Sequence, residues 1–140
     1  MARINDNRIM FRFIAESDEF IPTKQTKSSA GFDIKSAIDL DMKKGETYLI
    51  PTGVKIGDAP EDYVLYLHPR SSFRYKLGIT GVGVIDADYR DEIKFIATPN
   101  RDYSILKGER IGQLVAHKLH DIIDGFVVDI DRSGGLGSTN

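Results

Sequence analysis

Apolar positions along this chain fall in short runs divided by glycine, proline and polar turns, and few windows keep the 3.6-residue period of an amphipathic helix. That pattern predicts strands. Residues 8–15, with Ile9, Met10, Phe11, Phe13 and Ile14 grouped around Arg12, read as the first. Residues 30–34 open an extended segment in which Asp33 stands between Phe32 and Ile34. Residues 39–42 alternate, 43–46 turn and 47–50 return, and 54–56 come after a break at Pro51 and Gly53. Residues 63–67 are apolar on both faces, which predicts burial between layers. Residues 73–77 suit one or two helical turns stopped by Gly78. Val84 and Ile85 read as strand, as do 93–97. Residues 105–106 and 111–119 are expected to form a hairpin about a turn at 107–109, and 126–130 the last strand. About ten short strands point to an all-β fold, a sandwich, jelly roll or barrel, with one short helix.

The length of 140 residues suits one domain and is too short for two. Lys and Arg number 19 against 21 Asp and Glu, a net charge of −2, so no global pull toward nucleic acid or an anionic membrane is expected. There is no cysteine, which excludes a disulfide framework and any thiolate metal site. No apolar run approaches a bilayer span, and residues 1–12 lack the apolar region of a signal peptide. The expected compartment is intracellular and reducing: cytoplasmic, or the host cytoplasm for a viral chain.

Candidate chemistry concentrates at residues 81–92. Gly81 and Gly83 let a backbone approach a ligand closely, and Val84 and Ile85 hold the succeeding turn rigidly. Asp86, Asp88, Tyr89, Arg90, Asp91 and Glu92 crowd that one turn. These residues suit a pocket floor: backbone amides for a base, an aromatic wall for a sugar, a carboxylate for a water. The acids lack the spacing of a calcium loop. Arg70, Ser71 and Ser72 suit a phosphate, through a planar fork of donors and two hydroxyls, and equally suit a capped helix start beside a solvated arginine. Gly112 permits close approach and Gln113 can donate to a phosphate or sugar oxygen, or both belong to a plain hairpin turn. Asp33 is either an acid near a metal's water or a turn carboxylate. Residues 132–140, rich in glycine, serine and threonine, form either a free end or a lid that orders over a phosphorylated ligand. His68, His117 and His120 lack the spacing of a zinc site.

Taken in order, residues 30–34 (Ala-Gly-Phe-Asp-Ile), 69–72 (Pro-Arg-Ser-Ser), 83–90 (Gly-Val-Ile-Asp-Ala-Asp-Tyr-Arg), 108–113 (Gly-Glu-Arg-Ile-Gly-Gln) and 134–139 (Gly-Gly-Leu-Gly-Ser-Thr) resemble the five motifs of the trimeric dUTPase family, the deoxyuridine triphosphate nucleotidohydrolases. The third segment is the most specific, and the set spans nearly the whole chain. The resemblance implies a jelly-roll-like distorted barrel over residues 1–131 with a flexible C-terminal lid at 132–140. It also implies a homotrimer with active sites at subunit interfaces and hydrolysis of dUTP to dUMP and pyrophosphate with Mg²⁺. Such an enzyme limits uracil incorporation into DNA and supplies dUMP for dTMP synthesis.

By the same resemblance, Asp86 is the catalytic carboxylate that activates water for attack at the α-phosphorus. Tyr89 packs under deoxyribose, and the backbone of Thr80, Gly81, Val82, Gly83 and Val84 reads uracil. Arg70, Ser71, Ser72 and Gln113 bind phosphates, and Asp33 meets the metal through water. Arg132, Leu136, Gly137 and Ser138 contact substrate from the lid. Leu136 stands where an aromatic is usual, which implies weaker stacking on the base, and Arg132 is one residue closer to its glycine pair than is usual. The rival functions are a dCTP deaminase-related enzyme, which shares the Arg-Ser-Ser run but not the Asp-Ala-Asp-Tyr run, and a dUTP-sensing regulatory protein that binds without hydrolysis. No membrane contact and no direct nucleic-acid contact are expected.

Overall fold

The computed structural model describes residues 10–130. Among them lie ten strands: β1 (Arg12–Ala15), β2 (Phe32–Lys35), β3 (Leu40–Met42), β4 (Tyr48–Pro51), β5 (Val54–Asp58), β6 (Tyr63–Pro69), β7 (Gly83–Ile85), β8 (Lys94–Ala97), β9 (Tyr103–Ile105) and β10 (Arg110–Lys118). One α-helix, α1 (Ser71–Leu77), comes after β6, and a 3-10 turn at Asp18–Phe20 comes after β1. The mostly β composition with one short helix agrees with the pattern of the chain. The part of the first predicted strand before residue 10 lies outside the described residues.

Pairing departs from the sequence-based expectation. The strands at 39–42 and 47–50 do not pair with each other: β3 pairs with β9 and β4 with β8. The hairpin expected around 107–109 is likewise absent, because β9 leaves for β3 while β10 runs between β2 and β6. The turn itself exists, with the Glu109 N–H donating to the Leu106 carbonyl. However, the Gly108 N–H and Glu109 carbonyl are both bonded to the backbone of Ser36, which draws the chain toward β2. Pairs β2–β10, β3–β9 and β4–β8 are therefore nested, each joining strands far apart in sequence.

The predicted last strand at 126–130 does not form. It pairs with no described strand, and its apolar side chains face outward, Phe126 at 89% exposure and Val127 at 87%.

The largest sheet has the order β2-β10-β6-β7, all antiparallel. Because side chains alternate across a strand, its inner face carries Ile34, Leu114, Leu65, Leu67 and Ile85 into the core. Its outer face carries Asp33, Gln113, Tyr66, His68 and Val84 in facing registers. The expectation that 63–67 would be buried on both faces holds only in part. Val64, Leu65 and Leu67 are buried, whereas Tyr66 is half-buried on the outer face. Helix α1 is fastened by Phe73 and Leu77, both buried, each contributing roughly 1.5–3 kcal/mol by burial. Phe73 meets Phe95 and Tyr103 edge-on. Gly78 ends the helix in a left-handed conformation (φ 67°). That anchoring fixes where Arg70, Ser71 and Ser72 stand.

Candidate active site

The candidate residues spread along β6, from the Arg70 group at its C-terminal end to Asp86 and Tyr89 toward its N-terminal end. At the C-terminal end, Gln113 is opposite Asp33 on β2 and opposite His68 on β6, so all three share one row of the sheet's outer face. Arg70 joins this row where β6 leaves the sheet. Its N–H donates to the Ile111 carbonyl at 3.0 Å and its guanidinium to the Arg110 carbonyl at 3.2 Å. Ser71 and Ser72 open α1, Ser71 exposed and Ser72 half-buried. Neither serine caps the helix: the capping position is Arg70, and no side chain bonds there. The capped-start alternative for these serines is thereby overturned.

A register slip shapes this end. Arg110 faces Lys35, yet Gly112 faces Ile34, so β10 carries one extra residue between them. Such a bulge re-aims side chains. Ile111 turns fully into the core, and Arg110 emerges on the same face as Asp33 and Gln113. The Arg110 guanidinium stands 3.5 Å from Asp33 Oδ2, an ion pair without hydrogen-bond geometry, and that oxygen is buried with no hydrogen-bond partner. Thr23, Gln25, Lys35, Arg70, Glu109 and Arg110 line an open cavity of about 510 Å³. Three of these are cationic. Glu109, the one carboxylate, is already engaged by the Tyr103 hydroxyl (2.8 Å) and the Leu106 N–H (3.2 Å). The hydrogen bond to Glu109, and then burial, raise the Tyr103 pKa, with Arg70 pulling weakly the other way. Three cationic side chains around one opening suit an anion, although Lys35 is already bonded to the Glu19 carbonyl and Arg110 paired with Asp33.

Two glycines here are crowded, one against backbone and one against a movable side chain. A Cβ on Gly112 would meet the His68 carbonyl oxygen at 2.6 Å, so this glycine serves strand packing and not, as expected, approach by a ligand. A Cβ on Gly31 would meet Gln113 Oε1 at 2.6 Å; its absence leaves room for the Gln113 side chain.

Beside β6, the edge strand β7 runs from Gly83, opposite Leu67, to Ile85, opposite Leu65, and leads into the turn of Asp86 and Tyr89. Thr80, Gly81, Val82, Gly83 and Val84 are all exposed. A Cβ on Gly81 would meet nothing within 4 Å and one on Gly83 only ordinary contacts, so packing within the chain does not demand either glycine. Asp86 is exposed, and its carbonyl accepts the Tyr89 N–H at 3.1 Å. The Arg90 guanidinium donates to the carbonyls of Ala87 (2.5 Å) and Tyr89 (3.2 Å), closing the turn on itself. Tyr89 is half-buried against the core, and its hydroxyl donates to the Glu92 carbonyl at 2.9 Å. Burial first, then the nearby Asp91 and Glu92 charges, raise its pKa, so the phenol stays protonated.

The register measures the gap between the groups. Ile85 is opposite Leu65, so Asp86 lies level with Val64, six residues short of Arg70. At about 3.3 Å per residue Asp86 stands on the order of 20 Å from Arg70, while Gly83, opposite Leu67, is only about 10 Å from it.

A family model for dUTPase matches residues 18–138. The chain belongs to the dUTPase family. It is 35% identical over 143 residues to a deoxyuridine 5′-triphosphate nucleotidohydrolase of Fusobacterium nucleatum, covering 94% of this chain and 97% of that protein. A namesake from Finegoldia magna is 37% identical over 139 residues, 91% of this chain and 96% of that one. Among solved structures, a Streptococcus mutans dUTPase superposes with a TM-score of 0.67 at 30% identity, over 82% of this chain and 98% of that one. A dUTPase from phage phi11 of S. aureus shares the fold, with a TM-score of 0.71 at 22% identity over 88% of this chain and 99% of that one, in a mutant form described as coordinating a structural Mg(II) ion.

Of the expected dUTPase-family site residues, the structure gathers Asp33, Arg70, Ser71, Ser72 and Gln113 at one end of β6. It places Asp86 and Tyr89 toward the other, with Thr80, Gly81, Val82, Gly83 and Val84 leading to them along β7 from the Arg70 side. Arg132, Leu136, Gly137 and Ser138 lie outside the described residues. Arg110, Lys35, Thr23, Gln25 and Gly31 did not stand out in the sequence. Arg110 lies inside the Gly-Glu-Arg-Ile-Gly-Gln segment, but only the bulge shows which way it points. Among the described residues no cluster of three or more His, Asp or Glu side chains is placed to hold a metal ion, and no helix is long and apolar enough to cross a membrane.

Proposed function

We propose that the chain is a Mg²⁺-dependent dUTP diphosphatase acting as a homotrimer, with each active site shared between copies. One observation carries this: along β6 the Asp86 carboxylate lies on the order of 20 Å from the Arg70 group. A carboxylate that aims water at the α-phosphorus has to stand beside the phosphates that group would hold, so a working site takes Asp86 and Arg70 from different copies. Asp33, Arg70, Ser71, Ser72 and Gln113 then hold the phosphates, and a neighbour's hairpin and turn hold uracil and deoxyribose. The nested pairing of β2–β10, β3–β9 and β4–β8 supports a jelly-roll-like barrel. The exposed Ile122, Ile123, Phe126, Val127 and Ile130 support assembly with further copies. Residues 1–131 are taken as the barrel domain and 132–140 as its lid.

Asp86 orients a water in line with the α-phosphorus and draws off its proton as the new P–O bond forms. The bond from phosphorus to the β-bridging oxygen breaks, giving dUMP and pyrophosphate. Positioning and charge stabilisation supply most of the acceleration. Tyr89, half-buried and tied at its hydroxyl, leaves no room for a ribose 2′-hydroxyl. Asp33 Oδ2, buried and lacking a hydrogen-bond partner, fits an acceptor for a metal-bound water, and the absence of a carboxylate cage among the described residues fits an ion held mainly by phosphate oxygens. When bound, Mg²⁺ would neutralise and orient the triphosphate. The described Mg(II) of the phage phi11 relative supports this cation.

The test mixes two variants, each damaged at one end of β6. Asp86→Asn and Arg70→Ala are each expected to be nearly inactive alone in pyrophosphate release from dUTP. Co-expressed in equal amounts, they should recover activity, because about a quarter of shared sites in random trimers draw both intact halves. No recovery in mixed trimers, verified by mass, would refute shared sites. Release from dCTP or UTP at the dUTP rate would refute the substrate.

A further inference from the structure

The turn carrying Asp86 and Tyr89 hangs from the edge strand β7, so its rigidity has to come from elsewhere in the fold. The bracing runs to the corner between β4 and β5. Thr52, fully buried, donates its N–H (3.3 Å) and its hydroxyl (2.5 Å) to the Ile93 carbonyl. The Ile93 N–H donates to the Val54 carbonyl at 2.8 Å. Between these two ties, the Gly53 N–H donates to the Glu92 side chain at Oε2, 2.8 Å away. Gly53 has φ +72°, a left-handed conformation that side chains rarely adopt, and a Cβ there would press on the Phe20 ring and Glu16 at 3.2 and 3.3 Å. The corner is therefore fixed in shape, and Glu92 grips it. The same residue receives the Tyr89 hydroxyl on its main-chain carbonyl, at 2.9 Å.

We propose that Glu92 is a positioning residue for sugar discrimination. Its carboxylate, held by Gly53, fixes its own carbonyl. That carbonyl fixes the tip of Tyr89, and hence the plane of the ring beneath the sugar. The proposal rests on the assignment of Tyr89 as the sugar wall. A ring whose tip is tied cannot tilt to admit a 2′-hydroxyl; a ring released from its tie can. Asp86 shares the turn, but any loss of water activation there slows dUTP and UTP alike and cancels from their ratio.

The experiment measures kcat/KM for dUTP and for UTP, with melting temperature as the check on folding, in Glu92→Leu, Glu92→Asp, Glu92→Gln and Tyr89→Ala. Glu92→Leu removes the acceptor for Gly53, and the dUTP:UTP ratio should fall about tenfold. Glu92→Asp withdraws the carboxylate by one methylene and should show the same fall; it decides the matter if the leucine variant does not fold. Glu92→Gln keeps an acceptor oxygen and should hold the ratio within about twofold of the parent. A folded Glu92→Leu or Glu92→Asp with the parent ratio overturns the proposal. So does a Glu92→Gln that loses as much as Glu92→Leu. Tyr89→Ala separates the two levels. If that variant keeps the parent ratio, the sugar wall itself is misassigned; if it loses the ratio while the Glu92 variants keep it, only the role of Glu92 falls.

Discussion

The two ends of β6 are built on different principles. The Arg70 end stands on a four-stranded sheet and a helix fastened by Phe73 and Leu77; its rigidity comes from packed strands on either side. The Asp86 end extends from an edge strand of three residues and relies on hydrogen bonds: Arg90 to its own turn, Glu92 to Gly53, Thr52 to Ile93. The first end is cationic and cradles charge, and the second presents a carboxylate, an aromatic ring and bare backbone. A phosphate grip tolerates being made of long side chains on a stiff floor. Backbone that is to read a base has to lie at the surface, and an edge strand exposes it.

The sharpest test of this division is Asp86→Asn. Turnover should drop on the order of 10³-fold while dUTP affinity, measured by calorimetry, changes little; near-normal turnover would remove Asp86 from the chemistry. Next in size, deletion of residues 132–140 should slow hydrolysis roughly 10- to 100-fold with the assembly intact by sedimentation; full activity without them would rule out a lid. The glycines give a smaller but cleaner contrast. Gly112→Ala should cost about 2 kcal/mol in urea unfolding, because its new methyl meets a backbone oxygen. Gly81→Ala should stay within about 0.5 kcal/mol of the parent and instead raise KM for dUTP. Equal stability losses at both positions would erase the distinction between a packing glycine and a ligand-facing one.

The smallest effect concerns pH. Tyr103, at the Arg70 end, has its pKa raised chiefly by its hydrogen bond to Glu109, and Tyr89, at the other, chiefly by burial. Above about pH 10 the unfolded chain loses these phenolic protons before the folded one does, so stability falls as pH rises toward the folded values. Tyr103→Phe should flatten part of that fall above about pH 10; an unchanged slope in urea unfolding would assign the alkaline loss elsewhere.

Much of the strand inventory was legible because turn residues punctuate apolar runs, and α1 because Gly78 stops it. Pairing was not legible. The nested order joins strands such as β3 and β9, whose apolar patterns hold no information about their partner, whereas adjacent runs such as 105–106 and 111–119 suggest a hairpin by proximity alone. Residues 126–130 mislead for a related reason: a Phe-Val-Val run has strand propensity whether or not a neighbour exists to pair with it. At the site, residues in compact segments were visible, Asp86 and Tyr89 above all. The placements of Arg110 and Glu92 were hidden because they depend on a register slip and on a contact 39 residues away.

The extra residue in β10 sets a counting rule. Arginine and glutamine three positions apart share one surface only because the strand miscounts once between them. Straightening the strand at constant length would swap the arginine with the isoleucine, sending a charge inward and a greasy side chain into the cationic cavity. Deleting Ile111 along with the bulge would instead leave the arginine where it is, two positions from the glutamine. Anyone transplanting the Gly-Glu-Arg-Ile-Gly-Gln stretch into another β scaffold would have to carry the miscount along with the letters.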